Sequence, residues 1–292
     1  MLYDIQLKIE YIYPDSADAG RHIARITPAD ITGTQRTIAA SVTVTPDPVE
    51  RLERMDFFGN RVTEVFLDQP YDSLWFEMKA RVERQAQPVQ FDTSASLEVL
   101  ARELANSQSL DPLSPHHFCG NSPKVPVDEK LAKYARENSD GSATAFEIVN
   151  SINASLHRDM RFKPEATSVE TPLLEAFENR HGVCQDFSHI MIGCLRAIGI
   201  PAGYVSGYLR TIPPQGQPRL EGADAMHAWV TAWCGNEMGW IEIDPTNAMM
   251  AGVDHIMVAK GRDYFDVAPV KGVMRSAGQH TSDQSVDVIP VG

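Results

Sequence analysis

Four cysteines and nine histidines are scattered through the 292-residue chain, and one cysteine has a setting unlike the others. In RHGVCQDFSHIMIGCLRAIGIP, Cys184 directly follows a His-Gly-Val turn and directly precedes a run with helical periodicity. The first turn of a helix offers backbone N–H groups without intrahelical acceptors, and the helix dipole adds positive potential there. Cysteines in such places ionise easily, and the same N–H groups can receive the oxyanion of an acyl-transfer intermediate. Alone, the position also suits a buried filler, a metal ligand or half of a disulfide. Thiol catalysis requires a base to hold the proton and a third group to orient that base.

Two later segments supply those groups. MHAWV sets His227 at the start of an apolar strand, and GWIEIDPTN sets Asp244 at the end of the next, before a proline stop. Joined antiparallel through the turn at Gly235 to Gly239, the strands bring both residues to the same end of a hairpin. A carboxylate beside an imidazole fixes its tautomer and supports its cationic form. Singly, His227 fits a hydrogen-bonded core histidine and Asp244 a turn residue before Pro245. Together with Cys184 they make a nucleophile, a base and an orienting acid.

Three neighbours are candidate cleft residues: Gln185 beside the nucleophile, His181 in the turn, and Trp229, two residues past His227 and so on the same strand face. His181 also fits an exposed turn residue, and Trp229 and Trp240 also fit core packing. Asp186 suits a cap in the first helical turn. His189 is rotated away from the Cys184 face and reads as a buried, hydrogen-bonded histidine. Cys194, in the apolar run IMIGCL, reads as core, and Cys234, near a hairpin turn, as a spectator. His116-His117-Phe118-Cys119 lacks the companion CxxC or HxxxH pair of a four-ligand zinc site. Neither a metal nor another cofactor is expected.

The elements that must position these groups fall into two sets. Over the first ~85 residues apolar positions alternate, as in Ile5-Leu7-Ile9-Tyr11, Ile38-Ala40-Val42-Val44 and Leu74-Phe76-Met78-Ala80-Val82, with turn punctuation at Thr45-Pro46-Asp47-Pro48 and Gly59-Asn60. This predicts an antiparallel β-sandwich domain over residues 1–90. Residues 91–292 begin with helical pieces, LEVLARELANS capped by Ser94 or Ser96 and DEKLAKYAREN. Helices over TAFEIVNSINASLHRDM, LLEAFEN and Cys184 to Ile198 follow. The strands AGYVSGYL, HAWVTAWC, GWIEID and a last pair around HIMVA and FDVAPV come after them, which is an α+β pattern with an antiparallel sheet. TIPPQGQPRLEGADA, between YVSGYL and His227, reads as a rim or lid, or as an inert surface excursion. GQHTSDQS is a polar low-complexity tail.

Composition narrows the partners. A formal charge of -13 without any Lys/Arg cluster argues against nucleic acid and anionic lipid. Neither a leader-like start nor an apolar run of the ~18 residues a membrane helix needs is present in the sequence, so a complete cytoplasmic protein is expected. Four irregularly spaced cysteines do not make a disulfide framework.

RHGVCQDFSHIMIGCLRAIGIPAGYVSGYL, followed by MHAWVTAW and GWIEIDPTN, resembles the core of the bacterial transglutaminase-like superfamily of papain-like cysteine enzymes. The resemblance spans roughly residues 145–270 and includes GRDYFDVAPVKGV. The segments Tyr11-Ile12-Tyr13-Pro14 and Asp56-Phe57-Phe58-Gly59-Asn60 resemble, more loosely, the β-domain that precedes this core in many bacterial members. The resemblance implies a papain-like/transglutaminase core with Cys184 as nucleophile, His227 as base and acid, and Asp244 as orienting carboxylate, acting on a protein or peptide substrate. Water would resolve the thioester in a protease or amidase, an amine in a transglutaminase. The same fold also serves as a peptide-binding module. The sequence has no D-x-D-x-D-G calcium loop, and hydrolysis is the expected outcome.

Overall fold

A computed structural model describes residues 1–86, 91–211, 222, 224–275 and 280–291. Six strands open the chain: β1 (Leu2–Ala17), β2 (Gly20–Ala24), β3 (Gln35–Thr45), β4 (Glu50–Met55), β5 (Arg61–Leu67) and β6 (Tyr71–Arg84). Period-two patterning builds them. In β1, Tyr3, Ile5, Leu7 and Ile9 are buried while Gln6 and Lys8 are exposed. In β6, Leu74, Phe76, Met78, Ala80 and Val82 are buried on the same principle.

The second set comprises α1 (Leu97–Asn106), α2 (Glu129–Asn138), α3 (Ala145–Asp159), β7 (Arg161–Phe162), α4 (Leu173–Asn179), β8 (His181–Gly182) and α5 (Cys184–Ala197). After these come β9 (Ala202–Leu209), β10 (Ala225–Trp233), β11 (Trp240–Asp244), β12 (Met249–Met250), β13 (His255–Gly261), α6 (Tyr264–Val267), β14 (Val270–Met274) and β15 (Thr281–Val291). The cap of α1 is one of the two serines expected, and α2 and α3 carry caps of their own. Ser96 accepts from the Val99 N–H, Asp128 from the Lys130 N–H, and Thr144 and Glu147 form a capping box.

Two four-stranded sheets, ordered β15-β1-β6-β3 and β14-β2-β5-β4, form the sandwich, with His22 of one against Phe76 of the other at 6.3 Å between ring centroids. The division at residue 90 needs amending, because β14 pairs with β2 and β15 pairs with β1 from Leu2↔Val291 to Ile12↔Thr281. The stretch GQHTSDQS is corrected in the same way: its residues from Thr281 onward belong to an edge strand, polar because its first five side chains are exposed. FDVAPV is not a strand throughout. Asp263 caps α6 by accepting the Phe265 N–H at 2.8 Å, and β14 starts only at Val270.

A five-stranded antiparallel sheet, β12-β11-β10-β9-β13, carries the second half, with α5 packed on β9 and β10. From Gln185 to Arg196 every residue of α5 is buried, so the helix is enclosed on all sides. Gly193 permits that closeness, since a Cβ there would sit 2.6 Å from Leu131 Cδ1 of α2.

The two halves meet along β13, whose outer edge would otherwise present unpaired backbone. Gln35 Nε2 donates to the Met257 carbonyl at 2.8 Å and its Oε1 accepts the Met257 N–H at 2.9 Å. Asn60 does the same for Lys260, at 2.8 Å in both directions. Two side-chain amides thus take the place of a neighbouring strand. The segment TIPPQGQPRLEGADA lies mostly outside the described residues.

Candidate active site

Cys184 is the first residue of α5 and is half-buried. Its position rests on the turn before it. The Asp186 carboxylate folds back to accept the Val183 N–H at 2.8 Å and the Thr167 hydroxyl at 2.6 Å. Gly182 is required beneath it, because a Cβ there would lie 2.5 Å from Asp186 Oδ2. Asp186 is the predicted cap, and burial holds its pKa above the ordinary carboxylate value. The Asp186 and Phe187 N–H groups bond the Val183 carbonyl, whereas those of Cys184 and Gln185 have no acceptor within the helix.

The hairpin delivers the other two groups. Pairing of β10 with β11 begins at Val230↔Ile243, so His227 and Asp244 lie just beyond it at the same end. Asp244 is fully buried, and His227 Nε2 meets its Oδ2 at 2.8 Å. With Nε2 engaged, Nδ1 is the nitrogen left for the Cys184 side. Burial alone would lower the pKa of His227. The bonds to Asp244 and the interaction with the Cys184 thiol outweigh it and push the imidazole up to about 10. Burial likewise opposes the ionisation of Asp244, but bonds from His227, His255 and Asn247 hold its carboxyl far below the usual range.

His255 is the participant that sequence reading missed. Its Nδ1 accepts the Gly252 N–H at 3.1 Å, so the ring proton sits on Nε2, which is 3.1 Å from Asp244 Oδ2. Asn247 Nδ2 adds a third donor at 2.7 Å, and the Thr246 and Asn247 N–H groups bind Oδ1. His227, Asp244 and His255 gather their donor atoms within 4.8 Å, the spacing of a metal site. A nitrogen carrying the proton that bonds Asp244 has no lone pair for a cation, and the group is a hydrogen-bond network centred on the carboxylate. In the sequence His255 is one polar residue ahead of an apolar strand, and nothing local reveals its partner.

Trp229 is on the His227 face as expected, but it does not line the cleft. Its ring is completely buried behind the imidazole, 6.3 Å away and stacked, and its indole N–H donates to Glu242 at 2.9 Å. Gly207 makes the space, since a Cβ there would strike Trp229 Cη2 at 2.5 Å. His181 also stays out of the cleft and bonds the Asn179 carbonyl at 3.0 Å. Gln185 does line it. His189 is buried and accepts the Tyr264 N–H at 3.2 Å, and its burial lowers its pKa to about 4. Cys194 and Cys234 are buried, with burial pushing both thiols up. His116, His117 and Cys119 each contact a backbone carbonyl separately.

The cleft over Cys184 encloses about 400 Å³. Tyr204 and Tyr264 form part of its wall, Tyr11 of β1 contributes from the sandwich, and Ser282, Asp283 and Gln284 of β15 close one side. Tyr204 is 3% exposed, and burial raises its pKa well above the ordinary phenol value. Both halves of the molecule therefore build the cleft.

With this geometry in view, comparison with known proteins is direct. Residues 132–245 match the model of the transglutaminase-like superfamily, and residues 3–83 match that of the bacterial transglutaminase-like N-terminal region. The chain belongs to the transglutaminase-like superfamily. Similar proteins include the uncharacterized protein Rv2569c of Mycobacterium tuberculosis, 30% identical over 99% of this chain and 92% of that one. Protein-glutamine gamma-glutamyltransferase of Pseudomonas aeruginosa is 39% identical over 29% of this chain and 13% of that protein. Among solved structures, a candidate cysteine protease from Cytophaga hutchinsonii has the same fold, with a TM-score of 0.74 and 22% identity over 99% of this chain and 90% of that one. The α+β architecture is that of the transglutaminase-like fold. Among the described residues no helix is long and apolar enough to cross a membrane.

Proposed function

We infer that the protein is a cysteine-dependent acyl-transfer enzyme that hydrolyses peptide or side-chain amides. The observation that carries this reading is that Cys184 and His227 line one cleft, with the imidazole bonded at 2.8 Å to the carboxylate of Asp244 buried behind it. The Cys184 sulfur attacks the amide carbonyl carbon, its proton having passed to His227 Nδ1. The unpaired N–H groups at the start of α5 receive the oxyanion. As the tetrahedral intermediate collapses the C–N bond breaks, and His227 returns the proton to the departing amine. A thioester on Cys184 remains. Water then attacks it, giving its proton to His227, and the acid leaves as the thiol is regenerated. Asp244 keeps the ring oriented and supports its cationic form throughout.

Amine transfer is a second reading, favoured by the similarity of part of the chain to the Pseudomonas aeruginosa glutamyltransferase. Incubation with a glutamine-bearing peptide, with and without a primary amine, separates the two. Acid formation in excess of amine incorporation supports hydrolysis, and the reverse overturns it. A non-catalytic peptide-binding module would show neither product, and its Cys184 would alkylate with iodoacetamide at pH 6 no faster than an ordinary thiol.

A further inference from the structure

β15 is an edge strand, and its free edge faces the cleft. The register with β1 fixes which backbone groups are available. Val288, opposite Ile5, sends its N–H away from β1 to Asp224 Oδ2 at 2.6 Å. Val286, opposite Leu7, forms an isolated antiparallel bridge with Asp224. By the two-residue repeat of an antiparallel ladder, Gln284 and Ser282 turn their N–H and C=O the same way. Among the described residues nothing pairs with that backbone.

Asp224 leads directly into β10. After the one bridge at Val286 the two strands diverge, β10 turning to pair with β9. The wedge they leave is the cleft itself: Met226, His227 and Ala228 line it from β10, Ser282 and Gln284 from β15, and Cys184 from α5. A ladder has been started and then left open, and the opening lies beside the nucleophile.

We propose that the substrate is an extended peptide that binds by adding a strand to the free edge of β15 at Ser282 and Gln284, which delivers its scissile amide to Cys184. Main-chain bonds to the edge give affinity with little demand on sequence. The apolar wall formed by Ile9, Tyr11, Met226 and Tyr264 receives side chains on one face of the added strand. The inference rests on the acyl-transfer reading of Cys184 and deepens it by naming how the acyl donor is held.

The test compares alkylation of Cys184 by iodoacetamide with alkylation by a pool of capped tripeptide chloromethyl ketones, in the wild type and in Ser282→Pro and Gln284→Pro. Proline removes an N–H that points away from β1, so the β1–β15 ladder loses no bond. A pool with N-methylated backbone amides removes bonds from the probe side and leaves the protein unaltered. The expected result is a peptidyl-to-iodoacetamide rate ratio that falls about five- to tenfold for each variant and for the methylated pool, the iodoacetamide rate correcting each protein for any change in the thiol itself. An unchanged ratio in both variants and with the methylated pool overturns strand addition alone. Slow iodoacetamide alkylation of the wild type overturns the acyl-transfer reading, and strand addition with it.

Discussion

Replacing Asp244 with Asn keeps the shape of the side chain and removes its charge. Asp244 accepts three side-chain donors on Oδ2, from His227, His255 and Asn247, and two backbone N–H groups on Oδ1. An amide has one accepting oxygen, so either the histidines or the Thr246–Asn247 turn must face an NH₂. The electrostatic consequence is larger. His227 is raised from 6.5 to about 10, which at ~1.4 kcal/mol per unit is roughly 5 kcal/mol in favour of the imidazolium. Part of that belongs to the thiol, so it is an upper bound on what Asp244 supplies. Without the carboxylate, burial pulls the imidazole the other way. Asp244→Asn is expected to move the titration of the His227 imidazolium down from about 10 by two units or more. Amide turnover should fall by about 10⁴-fold, the loss that follows neutralising the orienting carboxylate in a related triad. An NMR titration of the His227 ring from pH 5 to 10.5 reads that shift without knowledge of the substrate. An imidazolium that still titrates near 10, with iodoacetamide alkylation of Cys184 at pH 6 within threefold of wild type, refutes the assignment.

Gly182→Ala should destabilise the fold by about 1–3 kcal/mol through the clash with Asp186 and slow Cys184 alkylation as the cap of α5 loosens, both visible in urea unfolding and thiol kinetics. Gln35→Leu leaves the Met257 N–H unpaired at the junction of the two halves, and a loss of about 1–3 kcal/mol in the same unfolding assay is expected. The stability difference between wild type and His227→Gln should depend on pH with a definite sign. The folded imidazole titrates at about 10 against 6.5 when unfolded, so its contribution is whole below pH 6.5 and vanishes as pH rises to about 10. Asp244, held low, contributes fully above about pH 4 and loses its contribution on acidification. Denaturation at pH 5.5, 7.5 and 9.5 should give a steadily shrinking difference.

Cys184, His227 and Asp244 were legible because each sits at the terminus of an element whose periodicity is strong: a helix start, a strand start, a strand end before proline. The same local logic found Ser96, one of two serines offered, as the cap of α1 and Asp186 as the cap of α5. It failed where the deciding contact is remote in sequence. His255 reaches Asp244 only because β13 folds back beside β9, bringing its first residue to the open end of the hairpin. Trp229 was placed on the correct face, but the side-chain-free Gly207 across the ladder draws its ring inward, away from substrate. β15 escaped notice because period two appears only at Val286 and Val288, after five exposed polar residues. Gln35 and Asn60 carry no motif at all; their role exists only once another strand's edge lies against them.

The long ladder between β1 and β15 joins positions as distant as Leu2 and Val291. Contacts of such sequence separation are slow to form, and translation delivers the thiol on α5 well before the strand that walls its cleft. A nascent chain thus carries Cys184 before the side of the cleft formed by Ser282, Asp283 and Gln284 has been made. By the same logic, a chain cut between Asp244 and Thr281 that lost β15 would keep Cys184, His227 and Asp244 on one fragment while uncovering the flank of β1 and one side of the cleft.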